Sequence, residues 1–519
     1  MTRITILIFL FVMLFQRGFA QHANIMISNA DWPEEPSIFI DQNNTNYIIT
    51  ATNIDKYFYS YDGGLTWEDG ILTSPYGIFG DPCVVVDTTG SFYFFHLSNP
   101  PSGNWIDRIV CQKSTDYGKT WNQGSYMGLN GDKAQDKHWA VVNYQNNDIY
   151  VTWTQFDDYG SDDPYDSSII RFSKSTDSGI SWSEPVRLSE KAGDCLDGDN
   201  TTEGAVPAVG PNGEIYVTWA LGESVMFDRS LDGGETWLDH DILVSDMPGG
   251  WDIDIPGISR CNGMPVTACD LSEGPYRGTL YINWADIRNG PEDTDIWLAK
   301  STDGGSTWSA PQRVNDDPPG KQQFFTWMTI DQTNGYLYFV FYDRRYYNDN
   351  LTDVYMAVSR DGGETFINFK ISESPFMPVS YIFFGDYNNI SAHNNIIRPI
   401  WTRYQPGQLS VWTALVNPDI VGIKETEKQV PFSLEQNYPN PFTEITRFRF
   451  KLKSPAVISL KVRDSEGREI KSILDHVYRR EGKYVEYFDP SGNNLPPGTY
   501  YIELCSDKTI LEKKMIYVK

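Results

Sequence analysis

Positive charge is scarce in this 519-residue chain: 42 Lys and Arg stand against 69 Asp and Glu, a formal net charge of −27. That balance excludes an extended basic surface for nucleic acid or for an anionic membrane. Histidine and cysteine are also few, six of each, and scattered. With no CxxC pair and no HExxH helix, nothing in the sequence points to a zinc centre. The cysteines (Cys83, Cys111, Cys195, Cys261, Cys269, Cys505) are too irregularly spaced for a disulfide framework; one or two bridges fit, and Cys261 with Cys269 is the first pairing expected. A G-x-S-x-G nucleophile elbow and a dinucleotide-binding GxGxxG are both missing. Beyond the first 20 residues no apolar run is long enough to span a bilayer.

Residues 1–20 read as a secretory signal, with Arg3 in front, an apolar stretch from Ile6 to Phe15, and Gly18-Phe-Ala20 as a small-residue cleavage site. Its removal takes away Arg3 and Arg17 and leaves 40 basic against 69 acidic residues, a net of −29. Residues 432–519 carry 15 basic and 12 acidic side chains, so the preceding body holds −32.

One eight-residue phrase is plentiful. It occurs as Ser60-Tyr-Asp-Gly-Gly-Leu-Thr-Trp67, Ser114-Thr-Asp-Tyr-Gly-Lys-Thr-Trp121, Ser175-Thr-Asp-Ser-Gly-Ile-Ser-Trp182, Ser230-Leu-Asp-Gly-Gly-Glu-Thr-Trp237, Ser301-Thr-Asp-Gly-Gly-Ser-Thr-Trp308 and Ser359-Arg-Asp-Gly-Gly-Glu-Thr-Phe366. Its middle is turn chemistry: Asp accepts bonds from nearby backbone N–H groups, and Gly takes backbone angles that other residues resist. The terminal aromatic has area to bury between neighbouring sheets. Six equivalent aspartates spread around a repeat cannot converge on one substrate, so they are structural. Gly118-Lys119-Thr120 imitates the end of a phosphate loop but lacks the upstream glycine.

The consensus Ser-x-Asp-x-Gly-x-Thr-Trp resembles the Asp-box, or BNR repeat, of the sialidase superfamily. Box aspartates lie 54, 61, 55, 71 and 58 residues apart, and each interval holds short β-rich runs. Four strands per unit, with the box turning the third into the fourth, make a propeller blade. First strands beginning near Pro36, Asp81, His138, Ala205, Pro265, Phe325 and Asp386 give seven units. The last unit has no box and no fourth strand; residues 24–28 supply the missing piece and remove both open edges. The expectation is an all-β chain, a seven-bladed propeller over residues 21–417, with six blades, as in catalytic sialidases, the alternative.

Residues 418–431 turn polar and linker-like. Gln436-Asn-Tyr-Pro-Asn-Pro-Phe442, Lys461-Val-Arg-Asp-Ser-Glu-Gly-Arg468, Leu495-Pro-Pro-Gly-Thr-Tyr-Tyr-Ile-Glu-Leu504 and Lys513-Lys-Met-Ile-Tyr-Val-Lys519 then resemble a type A sorting domain of the type IX secretion system. The resemblance covers residues 432–519 and implies a small Ig-like β-sandwich. It implies export across the outer membrane of a Gram-negative cell, the secretion machinery as partner, and release or attachment at the surface.

In a propeller the first strands start on the face opposite the boxes, so function is sought there. First-strand starts supply Glu35, Asp81, Asp136 with His138, Glu203, Trp327, and Asp386 with Tyr387. Second-strand ends supply Asp157, Asp158, Asp286 with Arg288, Asp343 with Arg344 and Arg345, and Arg403. Arg288, Arg344 and Arg403 would grip a carboxylate bidentately, with His138 and Trp327 also at the substrate. Asp81, Glu203 or Asp386 would act as acid and base, and the resemblance makes Tyr387 the candidate nucleophile. The competing reading of each Asp–Arg pair is an ion pair bracing the sheet. The Phe/Tyr-Arg-Ile-Pro motif that sialidases carry before the first box is absent, since no arginine lies between residue 20 and Arg108. The leading expectation is a glycoside hydrolase on an extracellular acidic glycan that requires no cofactor. A non-catalytic glycan- or protein-binding propeller is the alternative, and a polysaccharide lyase using His138 and a tyrosine the third. The Asp-rich segments 157–163 and 194–200 can offer oxygens to calcium, outside any EF-hand pattern.

Overall fold

The computed structural model describes residues 22–405, 407–417, 432–464, 467–491, 495–506 and 509–518. The signal segment 1–20 and the linker 418–431 lie outside the described residues. The chain forms two units, divided between Gly422 and Ile423.

The first unit holds seven four-stranded antiparallel sheets. Their innermost strands are Ser37–Ile40, Gly80–Val86, Ala134–Val142, Glu203–Val209, Val266–Cys269, Gln323–Asp331 and Asn389–His393. Each touches the next, and the seventh touches the first, so the contacts close a ring. Ile40 N–H donates to Ser391 Oγ across that closure at 3.1 Å. In the seventh sheet the outermost place is taken by the N-terminal strand Ala23–Ser28, which pairs with Gln408–Leu415 in the register Ala23 opposite Leu415. The seventh sheet thereby reaches four strands, its outermost one supplied by the N-terminal end of the unit. An apolar cavity of about 200 Å³ runs along the axis, lined by residues of all seven inner strands.

Each box joins the third strand of a sheet to the fourth. In the fifth sheet Ser301 Oγ donates to Asp303 Oδ1 at 2.7 Å, and Gly305 N–H donates to Ser301 Oγ at 2.9 Å. Thr307 closes the turn on the same carboxylate through its N–H (2.9 Å) and its hydroxyl (2.7 Å). The side-chain bond and then the backbone bond from Thr307 hold the Asp303 carboxyl down to about 2. Gly305 has φ +86, and a Cβ there would lie 2.3 Å from Phe227 of the preceding sheet. The box aromatics pack across the sheet junctions: Trp182 on Phe95, Trp237 on Phe172 and Trp308 on Phe227, with centroids 4.9–5.9 Å apart. A box is therefore a rivet between blades. Replacing Asp303 by Ala is expected to lower the thermal unfolding midpoint by several degrees while leaving ligand binding at the opposite face unchanged, as calorimetry and a binding titration would show.

The six cysteines are free. The expected Cys261–Cys269 bridge does not form: Cys261 Sγ is buried beside the Asn262 carbonyl, whereas Cys269 ends an inner strand with its Sγ against the Asp270 carbonyl.

The second unit is a sandwich of a three-stranded sheet (Phe432–Leu434, Thr446–Leu452, Gly482–Phe488) and a four-stranded one (Glu469–Arg479, Ala456–Asp464, Gly498–Ser506, Thr509–Tyr517). Alternation along Thr446–Leu452 puts Phe448, Phe450 and Leu452 inward and Arg449 and Lys451 outward, as a half-buried strand requires.

Candidate functional site

Four inner strands carry a register shift at the mouth opposite the boxes: between Gly80 and Cys83, Asp136 and Trp139, Glu203 and Val206, and Phe324 and Trp327. Each bulge contains a residue with positive φ, namely Asp81 (51°), Lys137 (47°), Gly204 (72°) and Phe325 (48°). Glu35, just ahead of the first inner strand, has φ 49°. Bulges re-aim side chains, and L residues in this region mark places where the surroundings enforce an unfavourable backbone. Here they direct Glu35, Asp81, Asp136 and Lys137 into one cleft of about 460 Å³.

The Lys137 ammonium, 5% exposed, sits 2.8 Å from Asp386 Oδ2 and 3.2 Å from Asp81 Oδ2. Arg260 arrives from the segment linking the fourth sheet to the fifth. Its Nε donates to Asp386 Oδ1 at 2.8 Å, its Nη2 to Asp386 Oδ2, and its Nη1 to Asp197 Oδ2 at 2.7 Å. Tyr159 donates its hydroxyl to the same Asp197 oxygen at 2.5 Å. Asn53 links the first two blades, donating to Glu35 and accepting from the Asp81 N–H at 2.7 Å. Phe79, Trp105, Tyr159 and Phe383 wall the cleft; Phe79 and Trp105 meet edge to face at 4.9 Å, and the Arg260 guanidinium lies 5.2 Å from the Phe383 ring centre.

Proton affinities in this cluster are split. Burial alone would raise Asp386, but Lys137 and Arg260 outweigh it and hold that carboxyl below its usual range. Burial raises Asp136 to about 7, against the pull of Lys137 and with the help of Asp81 and Asp197. Glu35 is pushed well up by burial and then by Asp81, and Glu203 by burial and then by Asp197 and Asp136. Groups raised in the fold contribute stability below the ordinary carboxylate range, and that stability is lost as pH climbs through about 7. The boxes act oppositely, losing their contribution as Asp303 and its equivalents protonate in acid. The thermal midpoint is expected to peak near about pH 5 and to fall by several degrees toward pH 8; a flat profile over pH 5–8 would contradict the split.

Of the residues chosen from sequence, Asp81 lines the cleft, and Asp386 and Glu203 lie in the shell behind it. Three others lie beneath it. Tyr387 is fully buried against Trp139 (4.9 Å) and Trp327 (6.3 Å), its hydroxyl held well above the ordinary phenol range by burial, then by Glu35 and Asp81. Trp327 lines the axial cavity rather than the mouth. His138 is buried near Phe95 and pushed down to about 4 by burial. The nucleophile, substrate and lyase roles expected of these three are corrected by their burial outside the cleft.

The arginine triad does not assemble, because each member is engaged within its own surroundings. Arg288 is ion-paired with Asp286, bonded to the Asp246 carbonyl and stacked on Trp297 at 4.5 Å. Arg344 is 1% exposed, bonded to Thr352 Oγ1 and stacked on Phe324, and burial pulls it down to about 10. Arg403 donates to Ser374 Oγ and lies over Trp412. None of the three lines the cleft. The bracing ion pair, seen again in Arg345–Asp343, is what strand-end Asp–Arg spacing produces here.

Lys137 and Arg260 were not visible from sequence. Strict alternation would turn Lys137 away from its neighbour Asp136, and only the bulge brings both to one face. The Asp-rich segments fold onto each other through Gly160 N–H to the Cys195 carbonyl (2.7 Å). Three of their carboxylates are taken up, by Lys133 and Ser167 (Asp157), Thr201 (Asp194), and Arg260 and Tyr159 (Asp197). Among the described residues no group of three or more His, Cys, Asp or Glu is arranged to hold a metal ion.

The first unit is thus a β-propeller with a cluster of linked ionisable groups at one mouth, and the second a sorting domain. Residues 436–519 match the family model described as a secretion system C-terminal sorting domain, and the protein is secreted by the type IX system. Among curated proteins none is similar in sequence at a significant level. Solved structures similar to this chain include the Hadza microbial sialidase Hz136, at 14% identity, 72% of this chain, 74% of that one and a TM-score of 0.42. A PL25 ulvan lyase bound to -[GlcA(1-4)Rha3S]- is 13% identical over 75% and 95%, with a TM-score of 0.48. The α-L-arabinofuranosidase Arb93a of Fusarium graminearum is 13% identical over 62% and 93%, with a TM-score of 0.41. None of these likenesses informs the chemistry of the cleft.

Proposed function

We propose that the protein is an exported glycoside hydrolase whose cleft at the propeller mouth accepts a sugar without a carboxylate. The observation that carries this reading is a pair of carboxyls, Asp136 and Asp81, on adjacent inner strands, facing an aromatic-walled cleft. Asp136, raised to about 7, keeps a proton at neutral pH and gives it to the leaving glycosidic oxygen. Asp81, ion-paired to Lys137, receives a proton from the water that adds to the anomeric carbon. Phe79 and Trp105 offer faces for the apolar side of a sugar ring. An acidic glycan is disfavoured: the two cations of the cleft are already committed to Asp386, Asp81 and Asp197.

Incubation of the secreted chain with oligosaccharides of neutral, amino and uronic sugars, read as new reducing ends, tests this. Product from a non-acidic glycan is the expected result. Binding to such glycans without product from any of them would favour a binding module, for which the aromatic wall alone suffices.

A further inference from the structure

Resting on that reading of the cleft as a glycan site, we infer that the sugar it selects carries a protonated amine, a 2-amino-2-deoxy residue or its close equivalent. The charge balance is the first ground. Among the described residues of this cluster Asp81, Asp197 and Asp386 face only Lys137 and Arg260, even with Glu34, Glu35, Asp136 and Glu203 raised by burial toward their neutral forms.

Unused hydrogen-bonding capacity is the second. Asp136 is 6% exposed and lines the cleft. Its Oδ1 accepts from the Lys137 N–H at 2.8 Å, and its Oδ2 accepts no bond among the described residues. Asp81, 9% exposed, uses Oδ2 on Lys137 and leaves Oδ1 without a donor among the described residues. Both residues line the cleft, where a ligand N–H can meet these oxygens.

The wall is the third. Phe79 (41% exposed) and Trp105 (43% exposed) present ring faces, and aromatic faces attract cations. An ammonium donates three N–H groups and carries the charge the cluster lacks. An N-acetyl group donates one and is neutral, and a uronate would meet no free guanidinium.

The ammonium pairs with Asp81, whose Oδ1 has no donor among the described residues, while Asp136 keeps the proton it gives to the glycosidic oxygen. The groups facing Asp136 are Lys137, Asp81, Asp197, Glu203 and Tyr159, and Arg260 faces Asp197.

The test is calorimetric titration of the full chain at about pH 6 and pH 7 with glucosamine oligomers, N-acetylglucosamine oligomers and oligouronates. The free-amine oligomer is expected to bind at least about tenfold tighter than the acetylated one and to weaken with added salt. Asp81→Asn should erase most of that preference, and Asp136→Asn should leave most of it in place. Equal or tighter binding of the acetylated oligomer, or an unchanged preference in Asp81→Asn, overturns the inference. Product from the acetylated oligomer would then leave the hydrolase reading standing. Tight amine-selective binding with no product from any glycan would instead remove the hydrolase reading and keep the inference.

Discussion

Asp136→Asn is expected to lower kcat/KM by about 10²- to 10⁴-fold with KM little changed, because it removes a proton donated only in the transition state. Asn keeps the volume, and its side-chain oxygen can still accept from the Lys137 N–H, so the bulge is retained. The wild type should show the matching pH dependence. A general acid raised to about 7 is active while protonated, so kcat/KM falls tenfold per pH unit above about pH 7. The variant's residual activity should lose that limb. A variant with unaltered kcat, or a wild-type profile flat from pH 6 to 9, would take the acid role from Asp136.

Lys137→Met is expected to destabilise the propeller by about 3–5 kcal/mol, read as a lowered denaturation midpoint at unchanged slope. Its ammonium is buried between Asp386 and Asp81 and is held well above its ordinary range, burial being outweighed by Asp386, then Asp81 and Asp136. Removing it leaves buried negative charge without its partner. Adding Asp386→Asn to Lys137→Met should recover part of the loss, whereas surface lysines such as Lys113 and Lys119 should cost little when replaced. A Lys137→Met protein as stable as the wild type would mean that the cluster is not held together by charge.

The propeller was legible because its information is local and repeated. Ser, Asp, Gly and Thr of each box carry turn chemistry at fixed offsets, and the structure uses those atoms as the spacing implies, from Ser60–Thr66 to Ser359–Thr365. The pairing of residues 24–28 with the last sheet was legible from the missing fourth strand. The candidate site was legible only in part. Asp81, Asp136, Glu203 and Asp386 were found because strand starts are countable. Lys137 was hidden by a bulge that breaks alternation, and Arg260 by a long connection with no periodic pattern. Arg288 and Arg403 were misplaced because a strand end on the right face need not reach the axis; each found partners within its own surroundings first.

The central claim is that the mouth cleft, and not the arginines around it, receives the sugar. A crystal structure of the full chain soaked with an amino-sugar oligomer tests it most directly. A sugar ring against Trp105, with an amine or hydroxyl within hydrogen-bond distance of Asp136 and Asp81, is the predicted result. A ring seated instead against Arg288 or Arg403, with the cleft holding only water, would contradict it.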